Sequence, residues 1–342
     1  VFGHRDFNVV ASLKRLNLVK GAEKLEIADT VRGRHLPFCE TCRTTKSTLK
    51  HKHFMLTVPD MRAESYAPGE SWDYDYGECD VNTVGGGRHF IVFVCAVTGL
   101  PVTFVTGNRK EFAEIVERFI AWVERQLGVK VKRMHCDGAP EFQAKAVKTK
   151  FLNTGIDSTL SDAEVHEQNP RAENKIKILR TMAVGNLSRF KMPVNFWGQA
   201  IMHATYVDML LPATRDLVGA AARRSESGEH GVKTRFEAFF GVKPSIEGLY
   251  EFGVPFARHV LSSKRGHFED RAHMCAYVGL SASKGAVVGW NPAKQTFETD
   301  AHARPKDFDV DGVTCTAGWQ ADIRDSVEMV DENKMLEAAK QE

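Results

Sequence analysis

Alternating hydrophobic and polar positions predict three strands in the first half of the chain. Trp72, Tyr74 and Tyr76 alternate with polar residues, which is the period of a half-buried strand. Residues 89 to 95 form an apolar run that indicates a buried strand, and residues 100 to 106 follow it after a tight hairpin. We therefore expect three consecutive antiparallel strands here.

Helical and strand periods alternate in the next part. Residues 111 to 127 have helical spacing, and residues 129 to 134 alternate between apolar and charged side chains, as a strand does. A second helix is predicted over residues 140 to 151, and a strand over residues 155 to 160. The helix that begins near Glu173 places its apolar residues on one face: Ile176, Leu179, Met182, Ala183 and Leu187. Three antiparallel strands, then a helix and a strand, are the element order of the ribonuclease-H-like fold, so we expect an α/β core with a mixed five-stranded sheet.

Two carboxylates lie where predicted elements end or begin. Asp137 follows the predicted strand, and the glycine and proline just after it favour a turn. Asn169 suits a helix cap and Pro170 suits the first turn, which puts Glu173 in that turn. Singly, each placement is also explained by turn formation or by the helix dipole. Together, two crowded carboxylates require a cation, and hard oxygen ligands select Mg²⁺ or Mn²⁺ over zinc.

Composition indicates a multidomain chain from a reducing compartment. The 342 residues exceed one ordinary core, so we expect two or three domains. Seven cysteines with one close pair argue against a disulfide scaffold. The sequence contains no apolar run of membrane-spanning length and no signal peptide. Because it begins at Val1 without Met, we expect a segment of a longer polypeptide.

The net charge of +2 conceals two basic clusters of the kind found in nucleic-acid-binding proteins. One cluster contains Arg43, Lys46, Lys50 and Lys52. The other surrounds the Glu173 helix and contains Lys175, Lys177, Arg180, Arg189 and Lys191. Solvated faces of ordinary helices have the same composition, so the clusters alone are weak evidence.

The pair Cys39 and Cys42 predicts a structural zinc site near the N-terminus. A two-residue gap lets both thiolates turn onto one ion, and His4 is a third clear ligand. The alternative is a pair of ordinary thiols. Four residues or positions are candidates for the missing fourth ligand: His35, His51, His53, or a histidine that precedes Val1 in the parent protein.

Several segments together resemble the integrase of copia-type long-terminal-repeat retrotransposons, over about residues 3 to 310. The segments are P-G-E-S-W at 68–72, G-G-R-H-F at 86–90, D-G-A-P-E-F at 137–142, Q-N-P-R-A-E at 168–173, M-P-V-N-F-W-G-Q-A at 192–200, T-R-F-E-A-F-F-G-V-K-P at 234–244, and the β-rich stretches 264–279 and 285–291.

The resemblance implies a catalytic triad of Asp75, Asp137 and Glu173 that binds two Mg²⁺ or Mn²⁺ ions. Asp73 and Asp80 compete with Asp75 for the first position. Alternation places Asp73 on the same face as Asp75, so it remains an alternative. For the zinc site, the resemblance favours a histidine before Val1 as the fourth ligand.

The implied activity is the joining of DNA ends. The enzyme would bind both ends of a double-stranded cDNA, trim or use their 3′ hydroxyls, and join them to target DNA. Four residues are predicted to contact DNA: Asn169, Lys175, Lys177 and Arg180. The resemblance also implies a homo-oligomer without membrane association, located in the nucleus and in cytoplasmic virus-like particles.

The expected domains follow this resemblance. They are a truncated zinc-binding domain (1–54), a linker (55–66), the ribonuclease-H-like core (67–215), an extension (216–248), a small β-barrel-like domain (249–312) and an acidic tail (313–342).

Three departures from the family pattern leave another reading open. Pro170 stands where a glycine is usual, Asn174 where a basic residue is usual, and the first zinc histidine is absent. A catalytically inactive zinc- and DNA-binding module derived from a retrotransposon is therefore the alternative. A ribonuclease-H-like nuclease of another family would not be expected to carry the N-terminal and C-terminal segments.

Overall fold

The computed structural model describes residues 7–22, 66–136, 145–160, 169–212, 232–281 and 286–300. Within these ranges the helices are Phe7–Arg15 (α1), Phe112–Leu127 (α2), Lys145–Thr154 (α3), Pro170–Arg189 (α4), Trp197–Met209 (α5) and Arg235–Phe240 (α6). The strands are Ser71–Glu78 (β1), His89–Cys95 (β2), Pro101–Thr106 (β3), Arg133–Cys136 (β4), Asp157–Leu160 (β5), Pro255–His259 (β6), Ala272–Ser281 (β7), Ala286–Asn291 (β8) and Thr296–Asp300 (β9).

Strands β1 to β5 form one mixed sheet in the order β3-β2-β1-β4-β5. The three N-terminal strands pair antiparallel, as expected for strands joined by short turns. Strands β1, β4 and β5 pair parallel, with helices α2 and α3 in the connections. This α/β topology confirms the predicted five-stranded mixed sheet and is compatible with a ribonuclease-H-like fold.

The sheet separates two hydrophobic clusters because β2 is buried on both faces. Ile91 and Phe93 belong to the cluster formed with α2 and α3. Phe90 and Val92, which alternate with them, belong to the cluster on the side of α4 and α5. The ring of Phe93 stacks on Phe119 of α2 at a centroid distance of 3.9 Å. Because alternate side chains of β2 point to opposite faces of the sheet, this strand packs against helices on both sides.

The second cluster continues from α4 and α5 into α1 and into a second sheet. Strands β6 to β9 form this sheet as an antiparallel meander in the order β6-β7-β8-β9. Its two edge strands approach each other: Arg258 Nη1 lies 3.1 Å from Glu298 Oε2, and His259 N donates to Asp300 Oδ2 at 3.1 Å. The structure therefore shows a curled four-stranded sheet, but no backbone ladder between β6 and β9 within the described ranges.

The N-terminal segment is joined to the chain that follows α6. Lys20 N donates to Pro244 O at 2.7 Å, and Ile246 N donates to Lys20 O at 3.1 Å. Val9 and Leu13 of α1 are buried in the same cluster as the second sheet. The predicted zinc ligands His4, Cys39 and Cys42 lie outside the described residues, as does the acidic tail. In the described part of the chain, none of the helices is sufficiently long and apolar to span a bilayer.

Several element boundaries differ from the sequence prediction, and that of β4 is the clearest case. The strand predicted over residues 129 to 134 is β4, at Arg133–Cys136. Just before β4, Lys132 N donates to Glu70 O at 2.7 Å, and Glu70 is the residue that precedes β1. Parallel pairing with β1, rather than side-chain alternation, therefore decides where β4 begins. The predicted helix over 140–151 is described from Lys145 onwards.

Candidate active site

Strand β1, the middle strand of the sheet, carries two aspartates on one face. Asp73 pairs with Val94 of β2 in the ladder, and Asp75 pairs with Val92. Asp73 contacts α4, so Asp75, two residues further on, faces the same side of the sheet. Asp75 is half-buried, and its Oδ1 accepts a hydrogen bond from Tyr76 N at 2.7 Å.

The parallel register places the C-terminal end of β4 beside the middle of β1. Asp73 lies beside His135, and Tyr74 lies beside Cys136, the last residue of β4. Asp75 is the next residue of β1. Asp137 follows Cys136 in the sequence and lies outside the described residues.

Helix α4 begins against β1. Asn169 occupies the predicted cap position, but its side chain makes no cap hydrogen bond. Asn169 Nδ2 donates instead to Tyr74 O at 3.0 Å, and its Oδ1 is buried without a hydrogen-bond partner among the described residues. Glu173 lies in the first turn, exposed, with its N–H donating to Asn169 O at 3.2 Å. The helix start is thus tied to the strand that carries Asp75.

A buried ion-pair group strengthens this junction. Arg171 Nη1 donates to Asp73 Oδ2 at 2.5 Å, and Arg133 Nη1 donates to Asp73 Oδ1 at 3.1 Å. Arg133 Nη1 also donates to Ser71 Oγ at 3.0 Å. We call Asp73, Arg133 and Arg171 the Asp73 clamp. It links β1 to β4 and to the first turn of α4.

The clamp distinguishes the two candidate carboxylates of β1. Only 6% of the Asp73 side chain is exposed, and each of its oxygens accepts from a guanidinium group. Asp75 is half-buried and so more exposed than Asp73. The Asp73 carboxylate is already charge-compensated, so it is poorly suited to bind a metal ion.

Lys175 is a structural residue, which argues against its predicted contact with DNA. Its side chain is 7% exposed, and Nζ lies 2.5 Å from Asp208 Oδ2 of α5. Arg235 Nη1 also approaches Asp208, at 3.6 Å from Oδ1, and donates to Leu211 O at 3.0 Å. A signal for this burial was present in the sequence, because Lys175 falls on the apolar stripe with Leu179.

The other two predicted DNA-contacting side chains of α4 are exposed. Lys177 faces solvent. Arg180 Nη2 donates to Glu78 O at 3.1 Å, and its guanidinium lies 5.4 Å from the centroid of the Phe90 ring. Both residues therefore project from the side of α4 that is not packed in the core.

His203, to which the sequence assigned no role, is a satisfied core residue. Its Nδ1 lies 3.2 Å from Asn186 Nδ2, and its Nε2 lies 3.3 Å from Tyr250 O. Complete burial lowers the pKa of His203 to about 3, so the ring is neutral. A neutral ring that accepts at Nδ1 and donates at Nε2 satisfies both contacts.

A groove of about 1280 Å³ lies away from these carboxylates, between β3, α5 and the second sheet. Thr103, Met202 and Phe297 are among its lining residues, whereas Asp75 and Glu173 are not. In the described ranges, no group of three or more His, Cys, Asp or Glu side chains could hold a metal ion.

Comparison with known proteins gives related sequences. No protein-family model matches the chain. A retrovirus-related Pol polyprotein from transposon TNT 1-94 of Nicotiana tabacum is 21% identical over 219 residues, 64% of this chain and 15% of the relative. Retrovirus-related Pol polyproteins from transposons RE2 and RE1 of Arabidopsis thaliana are 22% and 20% identical over 81% and 73% of this chain. The chain spans only 15% to 17% of the length of these relatives.

Proposed function

We propose, from the relationship of this chain to a retrotransposon Pol region, that it is an integrase: a metal-dependent polynucleotidyl transferase that joins cDNA 3′ ends to target DNA. The curated matches confirm the predicted resemblance to retrotransposon Pol polyproteins. The integrase activity itself is our proposal, and it rests on the site on β1, β4 and α4.

One observation supports the proposal most directly. The register between β1 and β4 pairs Tyr74 with Cys136, and these residues immediately precede Asp75 and Asp137. Adjacent strands are about 4.8 Å apart, and consecutive Cα atoms are about 3.8 Å apart. A register continued by one residue would therefore bring the two carboxylates within reach of one ion.

The third carboxylate would come from α4. The hydrogen bond from Asn169 to Tyr74 O fixes the start of the helix beside β1, one residue from Asp75. Glu173 lies one turn further along the helix and is exposed. A junction that is fixed by buried contacts, with a half-buried carboxylate on the strand and an exposed one on the helix, suits a metal-binding site.

The donor set fits Mg²⁺ or Mn²⁺, because carboxylate oxygens are the ligands that these hard cations prefer. Asp75 with Asp137 would hold one ion, and Asp75 with Glu173 the other. Such ions would supply Lewis-acid activation of a hydroxyl nucleophile and charge stabilisation at a phosphodiester. Lys177 and Arg180 would hold the DNA backbone beside the site. Zinc binding by His4, Cys39 and Cys42, homo-oligomer formation and the cellular location stay predictions.

Strand transfer from a pre-trimmed, labelled duplex end into a plasmid tests the proposal, in Mg²⁺ and in Mn²⁺. We expect joining by the wild type and a loss of at least about 100-fold in Asp75→Asn, Asp137→Asn and Glu173→Gln, because each removes a metal ligand. Asp80→Asn is the matched control, since Asp80 is an exposed aspartate just beyond β1.

Thermal melting of each variant must accompany the assay. Joining that persists in Asp75→Asn, or wild-type protein that binds the duplex but joins nothing in either metal, would contradict the integrase proposal. The second result would favour the catalytically inactive binding module.

A further inference from the structure

The side-chain amide of Asn169 is buried at the start of α4, and one of its two polar atoms is unsatisfied. Asn169 is 2% exposed, and its Nδ2 donates to Tyr74 O at 3.0 Å. Its Oδ1 is also buried, and none of the described residues donates a hydrogen bond to it. Because a buried carbonyl oxygen without a partner is costly, such an atom in a folded protein indicates a bound water or ion, or a catalytic role.

A role in capping α4 does not account for this oxygen. An asparagine at the start of a helix usually turns its side-chain oxygen back onto an N–H of the first turn. The Asn169 side chain makes no such bond. Asn169 contributes to the helix through its main-chain oxygen, which accepts from Glu173 N at 3.2 Å. The side chain is thus bound to β1 rather than to the helix that it precedes.

The hydrogen-bond ladder of β1 shows where the amide lies. Glu70 O, just before β1, accepts from Arg133 N at 3.0 Å, so it faces β4. Carbonyl groups two residues apart in a strand face the same neighbouring strand, so Tyr74 O also faces β4. Tyr74 pairs with Cys136, the last residue of β4. Asn169 therefore binds β1 in the gap where β4 ends.

This gap is where the proposed metal ligands of the two strands would meet. The Tyr74 carbonyl belongs to the peptide group that joins Tyr74 to Asp75. A parallel ladder that places Arg133 N on Glu70 O advances by two residues on each strand, so its continuation would place Asp137 N opposite Tyr74 O. The amide of Asn169 therefore lies beside the positions of both strand carboxylates.

The chemistry of the unsatisfied atom selects the kind of ligand. An amide oxygen is an acceptor, so it favours a cation or a hydrogen-bond donor over a phosphate group. Asparagine oxygens belong, with carboxylates and water, to the oxygen ligands that hard divalent cations use in proteins. A neutral oxygen also adds a ligand without adding to the repulsion between Asp75 and Asp137.

We propose, resting on the integrase function proposed above, that Asn169 Oδ1 is a further oxygen ligand of the divalent cation that Asp75 and Asp137 would hold. The bond from Nδ2 to Tyr74 O fixes the amide on β1, so that Oδ1 is in place before the ion binds. Because Asn169 is buried, it acts on DNA through the ion and not through the direct contact that the sequence predicted.

Titration of the full chain with Mn²⁺ tests this proposal without DNA and without catalysis, with the free ion measured by electron paramagnetic resonance. Asp75→Asn identifies the site in the titration, since it removes the ligand that both ions would share. For Asn169→Ala we expect about 10-fold weaker binding of Mn²⁺, the lower end of the range for residues that support a metal site. Asn174→Ala is the matched control with unchanged binding, because Asn174 is an exposed asparagine near the start of the same helix.

Asn169→Asp separates the ligand from the tether to β1. The aspartate keeps a side-chain oxygen, but its carboxylate cannot donate to Tyr74 O. We therefore expect Asn169→Asp to bind Mn²⁺ more tightly than Asn169→Ala does. If Asn169 serves only to join α4 to β1, the two variants will bind Mn²⁺ equally weakly, and the proposal is overturned. Wild-type affinity in Asn169→Ala would overturn it as well.

A comparison within each variant guards against effects on folding. An ion that binds only the folded chain raises its Tm, whatever the Tm of the metal-free protein. At one Mn²⁺ concentration we expect the same rise in the wild type and in Asn174→Ala, and a smaller rise in Asn169→Ala. An equal rise in all three proteins would contradict a ligand role for Asn169.

The two proposals fail in different ways. If Asn169→Ala weakens Mn²⁺ binding while the wild type joins no DNA ends, the metal ligand stands and the integrase activity does not. If the wild type joins ends and Asn169→Ala keeps the wild-type affinity for Mn²⁺, the activity stands and Asn169 is a structural residue only.

Discussion

Helix α4 meets β1 at two junctions, and a carboxylate of β1 pairs with arginines at each. At the Asp73 clamp, a carboxylate that is 6% exposed accepts from two arginines. At the end of β1, Glu78 is 37% exposed: its carboxylate contacts Arg88 and Arg109, and its carbonyl oxygen accepts from Arg180. The Asp73 clamp is shielded from water, whereas the ion pairs of Glu78 are screened by solvent. The comparison teaches that removing one partner of an arginine–carboxylate pair costs this fold most where the pair is buried and little where it is exposed.

The largest expected effect comes from breaking the clamp. Asp73→Asn leaves Arg133, which is 10% exposed, without its compensating charge. We expect a loss of about 3 kcal/mol in the free energy of unfolding, near the low end for buried pairs because Arg171 is a quarter exposed. Urea unfolding measures it, with Glu78→Gln as the exposed counterpart. Equal losses in the two variants would remove the distinction between the junctions.

A smaller effect is expected between the two junctions, where Gly77 faces Phe90. A Cβ atom at Gly77 would lie 2.2 Å from the Phe90 ring, which also contacts Arg180 and Trp197. We expect Gly77→Ala to cost about 2 kcal/mol of unfolding free energy through this overlap. Gly266→Ala, at an exposed turn, is the control in the same urea titration. No loss at Gly77 would mean that the ring moves aside without strain.

We expect acid to destabilise the folded protein through its buried histidine, His203. Burial lowers the pKa of His203 to about 3, so the unfolded chain takes up a proton below its usual pKa of about 6.5 while the folded chain does not. Stability is therefore full above pH 6.5 and falls as the pH decreases towards 3. In His203→Gln we expect the unfolding free energy to depend less steeply on pH between about 3 and 6.5, by about 1.4 kcal/mol per pH unit. An unchanged slope in His203→Gln would contradict this account.

The smallest effect on stability is expected at the exposed junction. The Arg109 guanidinium, which pairs with the carboxylate, holds the pKa of Glu78 below its usual value. The stabilisation is thus present above the usual carboxylate pKa and is lost as the pH falls through the lowered one. Because the pair is exposed to solvent, we expect Glu78→Gln to unfold at the wild-type urea midpoint at neutral pH. A clear shift of that midpoint would make the Glu78 ion pairs a structural element like the Asp73 clamp.

The elements that the sequence predicts well are those with strong local periodicity. Strand β2 has the predicted bounds, His89–Cys95, and α2 begins one residue after the prediction, at Phe112. Both carry enough apolar residues for the period to identify them. The bounds of β4 depend on its parallel partner, which no local pattern encodes.

The clamp could not be predicted for a related reason. Its hydrogen bonds join residues 60 and 98 positions apart in the sequence. Sequence periodicity places Asp73 and Asp75 on the same face and cannot show that Asp73 is the one that pairs with Arg133 and Arg171. The burial of Lys175 is different, because the sequence alone places this lysine on the apolar stripe of α4. A lysine on an apolar stripe indicates a buried acidic partner, which in this structure is Asp208.

The hydrophobic cluster that α1, α5 and the second sheet share has a practical consequence. Phe252, Phe256 and Trp290 are buried against residues of α5 and its surroundings. A shortened chain that ends near Leu211 would keep the five-stranded sheet but expose this apolar surface to water. Such a fragment would be poorly soluble and prone to self-association. Expression of this protein in solution therefore depends on keeping the strands from Pro255 to Asp300 in the same polypeptide.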